Sequence, residues 1–189
     1  MAPSYENSSF ALPSAVRTSA KASRIEKDVI ELFDEFRNPL LRYSLSLGLS
    51  MHDAEEVIQE VFLAVFRHLQ LDRSRKNLRG WLFRVTHNLA LKQRMANQTS
   101  LRRMAEDANV AESQPDPAPG PETQLSMAQR LDRMQSVYEA LPEHDQHCLR
   151  LRAEGLRYRE IATVLGISLG AVSISLTRSL ARLVRADGR

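Results

Sequence analysis

The densest group of side chains that can bind a metal is the sequence His144-x-x-His147-Cys148. On a helix, His144 and Cys148 share a face, whereas His147 is adjacent to Cys148 and points elsewhere. A structural zinc site needs four ligands, and Cys148 is the only cysteine in the chain. No glycine-rich phosphate loop or Ser/His/Asp set accompanies this group. The sequence therefore predicts no metal, no cofactor and no enzymatic activity.

A second group suits nucleic acid. The stretch from Asp72 to Arg103 carries nine basic residues against Asp72 alone: Arg73, Arg75, Lys76, Arg79, Arg84, Lys92, Arg94, Arg102 and Arg103. A helix predicted over 77–95 buries Leu78, Leu82, Val85 and Leu89, and it places Trp81, Arg84 and Asn88 on the flank of that stripe. Cations neutralise phosphates, an aromatic ring stacks on bases, and an amide hydrogen-bonds a base edge. Burial in the core is the simpler explanation for Trp81 alone.

A helix-turn-helix follows near the C-terminus. A short amphipathic helix ends at Gly166, Ser168 caps the next helix, and that second helix runs to Arg185. Its predicted inner face comprises Val172, Leu176, Leu180 and Leu183. Its predicted outer face comprises Ala171, Ile174, Ser175, Arg178 and Arg182. In this motif the second helix enters the DNA major groove, where arginine contacts guanine edges or phosphates.

An acidic surface precedes both groups. Ser50 and Asp53 form a capping box, and the helix that they begin has one apolar stripe: Ala54, Val57, Ile58, Val61, Phe62, Val65 and Leu69. Glu55, Glu56, Gln59 and Glu60 lie off that stripe. Stabilisation of the helix dipole by acidic residues explains them as well as a binding role does.

These elements predict an all-α chain of two small helical domains. Residues 1–23 are predicted to be a disordered tail, and residues 24–104 the first domain, with a helix that restarts at Asn38-Pro39. Residues 105–124 contain four prolines and five acidic side chains, which predicts a flexible linker. Residues 125–189 form the second domain.

Bulk properties narrow the class further. The 189 residues carry a net charge of +3, so the distribution of charge says more than its sum. The single cysteine suits a reducing compartment, and no apolar run approaches the ~18 residues of a membrane span. We therefore expect a soluble cytoplasmic protein without membrane insertion.

Three segments in this order resemble the extracytoplasmic-function (group IV) sigma factors of the bacterial sigma-70 family. The sequence DAEEVIQEVF at 53–62 is similar to the family's region 2.2, and NLRGWLFRVTHNLA at 77–90 is similar to its regions 2.3 and 2.4. Region 4 is matched by LPE at 141–143, EGLRYREIA at 154–162, LGIS at 165–168 and GAV at 170–172. The resemblance covers about 25–104 and 125–185.

The resemblance implies partners and roles. Region 2.2 would bind the clamp coiled coil of the largest subunit of core RNA polymerase, through Asp53, Glu55, Glu56, Gln59 and Glu60. The promoter −10 element would be melted and bound by Arg79, Trp81, Arg84, Asn88 and Lys92, with Asn88 beside a flipped base. Region 4 would contact the polymerase flap and read the −35 element through Arg157, Arg159, Ala171, Ile174, Ser175, Arg178 and Arg182. Many relatives are held inactive by an anti-sigma factor, and the sequence leaves open whether this chain has one.

The recognition helix departs from the family's pattern. Where the family usually has a basic residue, a Ser and an Arg after Gly-Ala-Val, this chain has Ser173, Ile174 and Ser175. Each absent phosphate contact lowers the salt dependence of binding by about one unit of slope. We therefore expect −35 recognition to depend on Arg178, Arg182 and the pair Arg157 and Arg159.

One alternative function stays open at the level of sequence. A conventional helix-turn-helix regulator, not stably bound to core polymerase, explains residues 125–185 equally well. It leaves the basic run with Trp81 and Asn88, and the acidic helix before it, without a role.

Overall fold

The computed structural model describes the backbone of residues 14–107 and 122–187, and the side-chain surroundings of 21–103 and 129–187. Within these ranges the chain forms seven helices and no strand. The helices are α1 (Ser14–Ser46), α2 (Met51–Gln70), α3 (Leu78–Asp107), α4 (Glu122–Glu139), α5 (Glu143–Ala153), α6 (Tyr158–Leu165) and α7 (Leu169–Asp187). The prediction of an all-α chain is confirmed.

Helix α1 is longer than the sequence suggested. It begins at Ser14, so the prediction of disorder is wrong for residues 14–23, whereas residues 1–13 lie outside the described ranges. It also continues through Pro39, where a restart was expected. Proline removes one helical hydrogen bond, but Phe36 and Leu40, on either side of it, are both buried in the core. Packing on both sides therefore keeps the helix continuous.

Helix α2 follows the predicted pattern closely. All seven residues of the predicted apolar stripe are buried. Ser50 caps the helix by accepting a hydrogen bond from the backbone N–H of Asp53 at 3.1 Å, as the capping box requires. The Asp53 carboxylate departs from the usual box, because it accepts a hydrogen bond from the Ser50 hydroxyl at 2.6 Å.

The start of α3 depends on a close approach to the backbone. Asn77 adopts a left-handed conformation with φ of 56°, and its side chain folds over Gly80. A Cβ atom at Gly80 would lie 2.8 Å from the Asn77 amide, so any larger residue there would displace the Asn77 side chain. The helix then extends to Asp107, beyond the predicted end at residue 95, and includes the first residues of the predicted linker. Residues 108–121 of that linker lie outside the described ranges.

Helices α6 and α7 form the predicted helix-turn-helix. Gly166 ends α6 with φ of +67°, and the Ser168 hydroxyl accepts a hydrogen bond from the backbone N–H of Ala171 at 3.1 Å. The predicted inner face of α7 needs one correction. Leu180 is 48% exposed, whereas Ser175 and Ser179 are buried beside Val172 and Leu176. The inner face therefore includes two serines in place of one leucine.

The two groups of helices pack against each other. Helix α3 contacts α6, and α1 contacts α5. Leu151, Leu156 and Ile161, from α5, α6 and the turn between them, belong to the same apolar cluster as Leu40, Tyr43 and Phe83 of the first group. Among the described residues no single helix is long and apolar enough to cross a membrane, although α6 and α7 reach that length and composition together, across a bend of 107°.

Candidate nucleic-acid and polymerase interfaces

The acidic surface of α2 is exposed. Glu55, Glu56, Gln59 and Glu60 all face solvent on one side of the helix. Glu55 lies 3.4 Å from the Arg37 guanidinium, and Glu56 lies 3.3 Å from the His52 ring. Exposed ion pairs of this kind contribute little to stability, so these carboxylates remain available to a basic partner.

Asp53 occupies a different position. Its carboxylate accepts hydrogen bonds from Ser50, from Gln93 at 3.1 Å and from Asn97 at 3.1 Å. The hydrogen bond from Ser50, followed by that from Gln93, lowers the pKa of Asp53 below its ordinary value. Asp53 therefore ties the start of α2 to α3, and its carboxylate is already occupied.

We expect Asp53→Ala to destabilise the fold without weakening polymerase binding. It removes the hydrogen bonds that tie α2 to α3 and leaves the Ser50 hydroxyl and the amides of Gln93 and Asn97 without their acceptor, whereas the backbone N–H of residue 53 still caps the helix on Ser50. Urea unfolding and polymerase co-elution measure the two properties separately. If the Asp53→Ala variant is as stable as wild type but no longer binds polymerase, Asp53 contacts polymerase directly.

The exposed face of α3 carries three of the predicted −10 residues. Arg84, Asn88 and Lys92 are one turn apart and exposed. Trp81 lies on the flank of this face, half-buried, with its ring 4.6 Å from the ring of His68. The helix thus places Arg84 and Asn88 beside the half-buried ring of Trp81, as their spacing predicts, and Lys92 continues the same face.

Arg79, the remaining predicted −10 residue, lies inside the contact between the two helical groups. Its Nη2 donates a hydrogen bond at 2.5 Å to the backbone carbonyl of Glu154, at the end of α5. Its Nε is buried and makes no hydrogen bond. The Glu154 carboxylate in turn accepts two hydrogen bonds from Arg42, at 3.2 and 2.8 Å. In this arrangement the half-buried Arg79 is hydrogen-bonded to the end of α5 and is separate from the exposed face of α3.

Two histidines meet at the same contact. His87 of α3 and His147 of α5 are both 7% exposed, and their ring centroids lie 5.1 Å apart. Tyr43 Oη lies 2.8 Å from His87 Nδ1, and His147 Nε2 is buried without a hydrogen bond. Burial lowers the pKa of both rings. For His147 the pKa falls to about 4, because the neighbouring His87 and Arg150 add to the effect of burial and Glu143 only partly offsets it.

The contact between the two groups depends on Glu154, and Glu154→Gln should weaken it. Bidentate arginine–carboxylate hydrogen bonds are among the strongest in proteins, and hydrogen bonds to charged groups contribute ~1.5–3 kcal/mol. Because Arg42 is mostly exposed, we expect the lower end of that range, or about a tenfold shift towards separated groups. Energy transfer between dyes on Lys27→Cys and Thr163→Cys measures the separation.

Glu31→Gln provides the matched control, because Glu31 is exposed and its weak partner at 3.9 Å, Lys27, is already replaced in the labelled protein. Equal energy transfer in Glu154→Gln and the control would show that the ion pair does not hold the two groups together.

On the recognition helix α7, one residue predicted to contact DNA is buried. Ser175 is 3% exposed, and its hydroxyl donates a hydrogen bond at 2.7 Å to buried Asp145 of α5, so its assignment to the DNA-facing side is wrong. Arg178 also donates to Asp145, through Nε at 3.2 Å and Nη2 at 2.6 Å. Burial raises the pKa of Asp145, but the hydrogen bonds from Ser175 and Arg178 outweigh it and hold that pKa below its ordinary value.

The other predicted −35 residues remain accessible. Ile174 is 66% exposed, Arg182 is exposed, and Ala171 is half-buried. Arg157 and Arg159 are exposed at the start of α6, where they line a cleft between that helix, the start of α7 and Asn77. The structure thus brings Arg157 and Arg159 close to the first turn of the recognition helix.

Three residues that organise these surfaces have no local signal in the sequence: Arg42, Asp145 and Glu154. Each has a partner that is distant in sequence, so neither periodicity nor capping patterns could reveal the pair. Among the described residues no group of three or more His, Cys, Asp or Glu is placed to hold a metal ion. His147 and Cys148 are instead buried in the core.

Two family models match the chain in separate segments. Residues 32–99 match Sigma-70 region 2, and residues 131–183 match Sigma-70, region 4. The chain is 32% identical to the ECF RNA polymerase sigma factor SigE of Mycolicibacterium smegmatis, in an alignment that covers 81% of this chain and 59% of SigE. It is 28% identical to the RNA polymerase sigma factor CnrH of Cupriavidus metallidurans, over 76% of this chain and 78% of CnrH.

Solved structures share the fold. The structure of CnrH in complex with the cytosolic domain of CnrY aligns with a TM-score of 0.55 at 23% identity, over 88% of this chain and 92% of that chain. The sigma factor RpoE of Bartonella quintana, in complex with the anti-sigma factor NepR, aligns with a TM-score of 0.54 at 19% identity, over 82% and 96%. With its helices α1–α3 in region 2 and α4–α7 in region 4, the chain belongs to the sigma-70 family, among its extracytoplasmic-function members.

Proposed function

We propose that this protein is a sigma factor that binds core RNA polymerase and directs promoter-specific initiation. The observation that carries the proposal is the presence of exposed basic side chains on two helices, α3 and α7, of one chain that also has an exposed acidic surface on α2. Region 2 would bind the clamp coiled coil through Glu55, Glu56, Gln59 and Glu60. It would also melt the −10 element through Trp81, Arg84, Asn88 and Lys92, while region 4 would contact the flap and read the −35 duplex.

In the structure the two groups of helices, α1–α3 and α4–α7, pack against each other, and we call this the closed arrangement. The two groups have to separate before the protein can bind the −10 and −35 elements together. The −10 and −35 elements are centred about 25 base pairs apart, which is roughly 85 Å at ~3.4 Å per base pair. In the structure α3 and α6 are in direct contact. Opening would also release Arg79 from the Glu154 carbonyl and make its guanidinium available to the −10 strand. Residues 108–121 would then have to span part of the distance, and at ~3.4 Å per residue they reach about 50 Å at most.

The proposed role requires no bond-making chemistry in this chain. Polymerase would form the RNA, and the sigma factor would position it on the promoter, so the protein would act in the cytoplasm where DNA and polymerase are found. Partners of the solved relatives suggest a third kind of partner. Because RpoE was solved with an anti-sigma factor, we include such a protein among the proposed partners.

Binding to core polymerase tests the proposal against a conventional regulator. We expect the full chain to co-elute with purified core polymerase, and the double variant Glu56→Arg with Glu60→Arg to lose that association. Lys27→Glu, which also alters charge on an exposed helical surface, should retain it. If the wild-type chain fails to bind core polymerase but binds DNA, the helix-turn-helix regulator is the correct function.

A further inference from the structure

Asp145 connects the first turn of α5 to the recognition helix. Its carboxylate is 1% exposed and accepts hydrogen bonds only from α7 among the described residues: Ser175 on one oxygen, and Arg178 on the other. A buried carboxylate is costly unless it is paired and hydrogen-bonded. Asp145 therefore fixes both the position of α7 and the orientation of the Arg178 guanidinium.

The hydrogen bonds to Asp145 leave one edge of the guanidinium open. Arginine has five N–H donors in a planar fork, and the Nε hydrogen and one Nη2 hydrogen point at Asp145. Both Nη1 hydrogens and the second Nη2 hydrogen remain, at the outer end of the fork. The Arg178 side chain is 50% exposed, one turn from Ile174 and one turn from Arg182. This open end has the geometry that contacts O6 and N7 of guanine in the major groove.

We propose that Asp145 is a positioning residue that aims Arg178 at a guanine of the −35 duplex. The inference rests on the proposed function in taking that duplex as the target. An arginine without such a carboxylate is attracted to phosphates, which carry no sequence information. Asp145 neutralises part of the charge of Arg178, which weakens its attraction to phosphates. It also fixes the Arg178 side chain before DNA binds, so that a single base contact is favoured over many phosphate contacts.

The surroundings of Arg178 strengthen the assignment. The first turns of α7 carry Ser173 and Ser175 where the family usually has basic residues, and Ile174 between them is 66% exposed. An exposed aliphatic side chain can contact the methyl group of thymine but has no donor for O6 or N7 of guanine. Arg178 is therefore the first arginine of α7 that can read guanine, and its orientation decides the preference.

Selection from a library of random duplexes tests the inference with the full chain, without polymerase. We expect wild type to select a site with one guanine position that Arg178→Ala no longer distinguishes. Asp145→Asn should reduce the preference for guanine at that same position by about tenfold, leave the other positions unchanged, and steepen the salt dependence of binding by about one unit of slope. The double variant should show no further loss, because the two residues act through one contact.

Ser175→Ala is the matched control. It removes the other hydrogen bond to Asp145 and should keep the guanine preference, and circular dichroism confirms that each variant is folded. The inference is overturned if Asp145→Asn weakens all positions alike, if its effect adds to that of Arg178→Ala, or if wild type selects no guanine. None of these outcomes depends on polymerase binding, so they separate this inference from the proposed function.

Discussion

Alanine at Arg84, Asn88 and Lys92 together should reduce promoter opening by about 100-fold while leaving polymerase binding intact. The three side chains lie on one exposed face of α3, and none of them belongs to the buried core. A good contact to a base contributes ~1–3 kcal/mol, and two phosphate contacts would be lost with the cations. A combined loss of roughly 3 kcal/mol corresponds to the 100-fold effect.

A template with a pre-melted −10 segment distinguishes melting from binding. Extruding and unstacking a base costs a few kcal/mol, so the pre-melted template should restore most of the activity lost by Asn88→Ala alone. Lys27→Ala, which removes a cation from α1, serves as the control and should open duplex promoters normally. Normal opening by the triple variant would remove α3 from the −10 interface.

Acidification should separate region 2 from region 4 through His87 and His147. Both rings have pKa values below the ordinary 6.5, so the closed state favours their neutral forms. The contribution is complete above pH 6.5 and is lost as pH falls, and for His147 the loss continues to about pH 4. At pH 5, about 1.5 units below 6.5, His147 alone should cost the closed state ~2 kcal/mol, or roughly 30-fold in the equilibrium.

Most of the charged groups near the rings of His87 and His147 also lower the pKa of His147. His87 on α3 and Arg150 and His144 on α5 disfavour a positive charge on His147, and Tyr43 approaches His87 from α1. Glu143 opposes them but lies 3.7 Å from His147 Nε2 and 2.8 Å from Arg94 Nη1, so it is shared. Asp53 and Asp145 have lowered pKa values, and they lose stabilising charge only at pH below about 4.

The energy-transfer pair on Lys27→Cys and Thr163→Cys measures this opening between pH 7.5 and pH 5. His147→Gln should show a much smaller response, whereas His52→Gln, at an exposed histidine, should respond as wild type does. A response that persists unchanged in His147→Gln would mean that other groups govern the contact.

Hydrophobic periodicity predicts a helix well when a single face of that helix is buried in the core. The apolar stripe of α2 was predicted residue by residue, because a period of 3.6 fixes which residues share a face. The helix caps at Ser50 and Ser168 are also predictable from the sequence, because each serine hydroxyl accepts a hydrogen bond from a backbone N–H only three residues later. The four exposed residues of the acidic surface also follow from this stripe.

The sequence-based predictions are wrong where contacts with residues distant in sequence determine helix continuity or side-chain burial. Pro39 favours a helix start, but burial of Phe36 and Leu40 on both sides keeps α1 continuous. Ser175 was placed outside and Leu180 inside on hydrophobicity alone. A hydrogen bond to Asp145, thirty positions earlier in the sequence, reverses that order. The contact between region 2 and region 4, with Glu154 and the two histidines, likewise has no signature in any short segment.

Transcription with purified core polymerase and a library of genomic fragments tests the central claim most directly. Addition of this protein should produce defined start sites. These sites should share one motif near −10 and another near −35, and the triple variant of α3 should reduce the starts by about 100-fold. Start sites that do not change when the protein is added, or a failure of the protein to bind core polymerase, would contradict it.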